Sequence, residues 1–345
     1  MAYTTINNSK LYQNTMLYTG DDGTRNITES GTFQADLVWL KRRNDTSNYY
    51  LTDSVRGATK DVSSNTAFAQ DTHSTGVTGF VTDGFSLGGA GGFNNNGDTF
   101  VSWTWKANGA GSANTDGSIS STVSANTASG FSIVSYTGTG ANATIGHGLG
   151  SVPKMIIVKC LNQAKAWTVY HNALGAGKAI FLEQTATPTT SDAYFGGTTP
   201  TSSVFSVGSS TNVSDNSSNF IAYCFAEKTG YSKFGSFVGN GSADGCFIYT
   251  GFKPSFFMAK KTSAAGDPWV LIDNKRNPIN ALSNTLTPSD ANAENTGTDR
   301  ADFLSQGVKI RTTSGAWNAS GATYIYMAFA EAPLVGSNNV PANAR

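Results

Sequence analysis

The chain runs three times through one pattern of apolar and polar positions, and each pass ends on a run where large and small side chains alternate. In Phe100–Trp105 one face carries Val101, Trp103 and Trp105, and the other carries Ser102 and Thr104. The same phase places Ile221, Tyr223 and Phe225 together in Phe220–Phe225, and Ile325, Met327 and Phe329 together in Tyr324–Phe329. Alternation with period two marks β-strands with one heavily buried face. It predicts that Trp103, Trp105, Tyr223, Phe225, Met327 and Phe329 fill the cores of β-sandwiches. A second set of runs, Leu37–Leu40, Met155–Val158 and Phe256–Ala259, is apolar on both faces, as central strands are. Helical periodicity is confined to two weak stretches, 274–284 and 290–305, and both carry strong breakers.

The spacing between runs is constant. A corner opens each unit at Tyr18-Thr19-Gly20, Tyr136-Thr137-Gly138 and Phe237-Val238-Gly239, and a lysine follows each glycine by 21 residues: Lys41, Lys159 and Lys260. An aromatic stands 8, 8 and 9 residues further on, at Tyr49, Trp167 and Trp269, and a polar group 4 beyond that, at Asp53, His171 and Asp273. Self-similarity of this kind decides the architecture before any single residue does. Units of roughly 100 residues are large enough to bury a core each. The expected fold is all-β, with three tandem antiparallel sandwiches of jelly-roll or immunoglobulin-like type. The boundaries fall at a polar arm 1–16, unit one 17–107, unit two 131–227, unit three 231–333 and a polar tail 334–345. Residues 108–130 are almost wholly Gly, Ala, Ser, Asn and Thr and read as a flexible linker. On that reading unit one hangs on a tether, and the other two form a pair that folds without it.

Composition narrows the function. Charged residues are 13% of the 345, with 23 basic against 23 acidic, which argues against a nucleic-acid partner. Three cysteines, Cys160, Cys224 and Cys246, make no disulfide framework. No apolar stretch reaches the ~18 residues of a membrane helix. The opening residues carry no secretory leader pattern, so release by lysis or on a particle is expected. Neither cofactor nor metal is expected: His73, His147 and His171 lack ligand spacing, and no nucleophile motif is present. His147, in Gly146-His-Gly-Leu-Gly150, reads as a turn residue before a strand.

The candidate site is the repeated polar group. It comprises Lys41, Tyr49, Asp53 and Arg56 in unit one and Lys260, Trp269, Asp273 and Arg276 in unit three. Unit two keeps Lys159, Trp167 and His171 but has Leu174 at the arginine position. A cation and a carboxylate beside an aromatic suit a sugar, whose ring stacks while polar groups take its hydroxyls. The same residues suit a strand-end ion pair whose lysine stem packs on the aromatic. No catalytic residue is assigned.

Several segments together resemble a recurrent repeat domain of tailed-phage virion proteins, best represented in marine and cyanobacterial phages. They are Tyr136-Thr-Gly138 with His147-Gly-Leu-Gly150, Pro153-Lys-Met-Ile-Ile-Val-Lys159, Phe220-Ile-Ala-Tyr-Cys-Phe-Ala-Glu227, Gly251-Phe-Lys-Pro254 and Tyr324-Ile-Tyr-Met-Ala-Phe-Ala-Glu331. Unit one contributes Asp36-Leu-Val-Trp-Leu-Lys41 and Asp53-Ser-Val-Arg-Gly57, and departs in having Ala35 where the others have Pro153 and Pro254. The resemblance covers about residues 17–333 and implies a non-enzymatic structural protein on the particle surface, made in the host cytoplasm. A tail fibre or tail-associated host-adhesion protein is the first expectation, a capsid decoration protein the second and a polysaccharide-degrading tailspike the third. Implied partners are other virion proteins and a host surface glycan, with a homo-oligomer, a trimer, anchored through unit one.

Overall fold

The computed structural model describes residues 3–333 and Val335, so the expected tail 334–345 lies outside the described residues apart from Val335. The chain is all-β. Among the described residues its strands assemble into six sheets, three large and three small, and every ladder between named strands is antiparallel. The first large sheet has the order Gln13–Thr19, Thr99–Trp105, Leu37–Arg42, Tyr49–Asp53, Lys60–Ser63, Asp71–Thr72. The third has Ser232–Val238, Thr323–Pro333, Phe252–Lys261, Val270–Asp273. The second contains the same order, Phe131–Thr137, Asn219–Ala226, Pro153–Cys160, Thr168–His171, and extends at both ends to eight strands. In each, the closing run lies between the corner strand and the lysine strand. The registers correspond too: Trp103 sits between Thr15 and Trp39, Tyr223 between Ile133 and Ile157, and Met327 between Phe234 and Met258.

A small sheet accompanies each large one: Arg25–Thr28 with Gly84–Leu87 and Val77–Val81, then Ala143–Gly146 with Val204–Val207, then Phe247–Tyr249 with Gly307–Ile310 and Ala301–Leu304. Between a large sheet and its small one lies a local core. In unit one this holds Val38, Leu40, Phe85, Leu87 and Phe100. In unit two it holds Ile156, Val158, Phe205, Val207 and Phe220, and in unit three Phe257, Ala259, Val308 and Ile310.

The heavy faces of the closing strands are buried, but not in these local cores. Trp103, Trp105, Tyr223, Phe225, Met327 and Phe329 all belong to one cluster shared by the three large sheets. At its centre Trp105, Phe225 and Phe329, one from each unit, form a triangle of edge-to-face rings. Their centroids lie 6.1 Å, 5.6 Å and 6.0 Å apart. The expectation of a heavy face inside each sandwich is therefore corrected. Alternation says that a face is buried, not what covers it, and here the partner of each sheet's heavy face is the other two sheets.

Residues 108–130 also differ from expectation. Ser112–Asn114 and Ser121–Asn126 are strands of the eight-stranded sheet, the latter paired along its length with Phe131–Thr137. Val123 enters the local core of unit two, and the Asn108 N–H donates to the Ser124 hydroxyl at 2.8 Å. A ladder draws on backbone groups that every residue but proline carries, so a segment poor in apolar side chains adds to a sheet edge that already exists. The stretches 274–284 and 290–305 form no helix; this part of the chain makes isolated bridges such as Thr285 with Asn295 and ends on the strand Ala301–Leu304.

Candidate functional site

The repeated polar residues stand where the lysine strand and the aromatic strand meet the shared core. Period two sends Leu37, Trp39 and Lys41 to one face, so the lysine follows its strand's heavy side chains towards the other units. All eleven are at most 9% exposed.

Asp53 ends its strand and is saturated by local donors. Its Oδ1 accepts from the N–H groups of Val55 and Arg56 at 3.1 Å and 2.9 Å, and its Oδ2 from Arg56 Nε at 2.5 Å. A fourth donor comes from unit two, the Tyr223 hydroxyl at 2.9 Å. Asp273 repeats the motif. Its Oδ1 takes the N–H groups of Lys275 and Arg276 at 3.0 Å and 2.9 Å, and its Oδ2 takes Arg276 Nε at 2.6 Å. The donor from outside is Trp103 Nε1 of unit one, at 3.1 Å. The Arg276 guanidinium also lies 5.6 Å from the centroid of the Trp103 ring. In unit two His171 Nδ1 accepts from the Ala173 N–H at 3.2 Å, and Nε2 donates to the Tyr326 carbonyl of unit three at 3.1 Å. One bond thus joins unit one to two, two to three, and three to one.

The exchange of Asp for His follows from the partner. Trp103, Tyr223 and Met327 occupy the same place in the three closing strands, and methionine has no proton to give. A carboxylate facing Met327 would lack its outside donor, whereas an imidazole donates instead to the backbone.

The lysines and aromatics form a second ring in the opposite sense. Lys41 Nζ donates to Asp45 O at 3.2 Å in its own hairpin and to Ala291 O of unit three at 3.3 Å. Lys159 pairs with Lys165 O at 2.6 Å and with Ala67 O of unit one at 2.8 Å. Lys260 pairs with Asp267 O at 2.7 Å and with Thr185 O of unit two at 3.4 Å. Trp167 Nε1 donates to Ser63 O at 2.8 Å and Trp269 Nε1 to Phe181 O at 2.9 Å. The Tyr49 hydroxyl approaches the Thr287 backbone without a well-formed hydrogen bond. Burial pushes each of the three lysines down to about 8. Burial also pushes His171 down to about 4.

Chemically, this arrangement clamps units together. A ring face or hydroxyl-binding group buried to this degree is not presented to a saccharide; the ion pairs join Asp53 to Arg56 and Asp273 to Arg276, and the three lysines hold backbone carbonyls in place of carboxylates. The partners Tyr223 and Trp103, Glu294, whose Oε1 accepts from Arg276 Nη1 at 2.8 Å, and the loop carbonyls were missed. The only sequence signal for them is the Trp, Tyr, Met series in the closing runs.

The remaining histidines are placed separately. His147 Nε2 donates to Thr201 O at 3.2 Å and Nδ1 accepts from the Leu149 N–H at 3.2 Å, which fixes a turn. His73 Nδ1 lies 2.6 Å from Asp61 Oδ2, in a cleft of about 370 Å³ with Tyr50, Asp71 and the exposed Phe68. Burial raises the Asp61 carboxyl. Among the described residues no three His, Cys, Asp or Glu side chains are grouped to hold a metal ion, and no helix is long and apolar enough to cross a membrane.

The fold and the clamp define an all-β protein whose three large antiparallel sheets share one core. The chain belongs to the family described as Domain of unknown function (DUF7483), which matches residues 8–333. No curated protein matches the chain.

Proposed function

We propose that the chain is a non-enzymatic virion structural protein exposed on a phage particle, in the first place a tail fibre or tail-associated host-adhesion protein. The observation that carries this reading is the likeness, over about residues 17–333, to the repeat domain of tailed-phage virion proteins. We read the fold as three tandem sandwich units, each a large sheet with its small one, set about a common axis through Trp105, Phe225 and Phe329. Two features support a scaffold or adhesin. The repeated ionisable residues are consumed in holding units together, and a continuous core makes a rigid body out of three modules. Rigid elements position binding surfaces better than loosely joined ones.

The proposal includes a homotrimer, since a chain with no net charge packs beside its copies without large repulsion. Anchoring through unit one loses its physical ground, because the expected tether is a pair of strands within the sheet of unit two. A capsid decoration protein is the second reading.

The test is direct. Mass spectrometry of purified particles should find the chain in stoichiometric amount, and labelled antibody should place it on tails. Labelling of heads would favour decoration, and absence from particles would end both readings. Light scattering should give three chains per particle of the purified protein. Incubation with host surface polysaccharide should release no reducing ends.

A further inference from the structure

The three seams between units are not alike. Between units one and two, the Gln70 N–H donates to Leu161 O at 2.8 Å, and Arg56 Nη1 reaches Gln70 Oε1 at 3.3 Å. Between units three and one, the Glu294 N–H donates to Arg43 O at 2.7 Å, and Arg276 Nη1 reaches Glu294 Oε1 at 2.8 Å. Leu161 and Arg43 each stand two residues after the repeated lysine, where unit three has Thr262. In each of these seams one loop residue crosses to the next unit through its backbone N–H, while its side chain is held by the arginine of its own unit.

The seam between units two and three lacks both of these features, its backbone bond coming instead from the Gly266 N–H to Thr185 O at 3.0 Å, and two residues explain the difference. The offset of 118 that carries Lys41 to Lys159 carries Gln70 to Pro188, which has no N–H to give. The same offset carries Arg56 to Leu174, which has no guanidinium. A cleft of about 600 Å³ lies there, lined by both Leu174 and Pro188 and, across from them, by Thr262. That volume falls within the roughly 300–1,000 Å³ of small-molecule sites.

Its walls have a definite chemistry. Lys178 and Thr190 stand on one side and Ser236 and Ser263 on the other, with the half-exposed Val238 at the rim. Among the described residues that line it Lys178 is the one cation, and no carboxylate is present. Tyr324 is spoken for, its hydroxyl donating to Gly315 O at 2.6 Å. Hydroxyls that both donate and accept match the hydroxyls of a sugar ring, while Leu174 and Val238 offer apolar surface to its C–H faces. A lone ammonium with no competing acid selects a carboxylate.

We propose that this cleft binds an acidic saccharide, a uronic-acid-bearing stretch of polysaccharide, with Lys178 on the carboxylate and the serine and threonine hydroxyls on the ring. The inference deepens the adhesin reading and rests on it for the polysaccharide's source on a host surface. Titration calorimetry of the full chain with a galacturonic acid tetramer, a neutral galactose tetramer and inorganic sulfate tests it. The acidic tetramer should bind. Lys178→Ala should weaken it at least about tenfold, the scale of one charge-assisted hydrogen bond. Val238→Trp, at the exposed rim, should block it. Both variants should melt with the wild-type chain. Failure of the acidic tetramer to bind, equal binding by the neutral one, indifference to Lys178→Ala, or full competition by equimolar sulfate would overturn the proposal. None of these outcomes bears on whether particles contain the chain, so the cleft and the virion reading fail separately.

Discussion

His171 donates its Nε2 proton to the carbonyl oxygen of Tyr326, a residue 155 positions away and in another unit. Since the carbonyl can only accept and Nδ1 accepts from the Ala173 N–H, the buried ring is held neutral. Charging it would break the Ala173 bond and place a cation in a dry site. Burial accordingly pushes its pKa from 6.5 down to about 4. A folded pKa below the unfolded one means that the unfolded chain binds more protons between the two values. The stabilisation is complete above the unfolded value and is lost as pH falls through the folded one, by up to about 3 kcal/mol. Denaturant titrations of the wild type and His171→Asn at pH 7 and at pH 4.5 should show the wild type losing more stability. A difference independent of pH would mean that the imidazole is not held neutral.

The triangle of Trp105, Phe225 and Phe329 makes the units interdependent. Removing residues 1–107 takes away Trp103 and Trp105 and leaves Phe225, Phe256 and Phe329 facing water. The remaining pair, expected from its sequence to fold without unit one, should instead bind hydrophobic dyes and lack a near-ultraviolet circular dichroism signal. Trp105→Ala in the full chain should cost about 3–5 kcal/mol and lower one common melting transition. Separate transitions for separate units, with only one displaced, would show that the shared core does not couple them.

The strands were legible because their signal is local. Val101, Trp103 and Trp105 declare a strand and a buried face within six residues, and the lysine runs declare central strands in the same way. The covering of that face was not legible, since the same alternation serves a sandwich interior or a junction of three sheets. The strand at Ser121–Asn126 escaped because its pairing is a backbone matter while its composition is that of a linker. For the polar residues, spacing exposed the lysine, aromatic and acid, but Tyr223 is 170 positions from Asp53 and Trp103 is 170 from Asp273. Pro188 was visible as a proline. Its consequence needed the N–H of Gln70 in the neighbouring seam as a reference.

Asp53 and Tyr223 give the most direct measure of the clamp. Asp53 accepts four hydrogen bonds, three from its own turn and one from Tyr223, and its closest partner is the buried Arg56 guanidinium. Asp53→Ala should cost about 3–5 kcal/mol, because it strands that cation without its counterion. Tyr223→Phe keeps the ring in the shared core and removes only the hydroxyl, which also lies 3.3 Å from Arg56 Nη2. It should cost about 1–3 kcal/mol, the penalty for one lost buried hydrogen bond. Once Asp53 is gone the hydroxyl has lost its acceptor, so the double variant should fall short of the sum by about 0.5–3 kcal/mol. The same cycle on Asp273 and Trp103→Phe should give a coupling of similar size, since each carboxylate takes one hydrogen bond from a side chain across the seam. Additive costs at both sites, from denaturant curves with unchanged slopes, would mean that these bonds accompany the packing of the units without helping to hold them together.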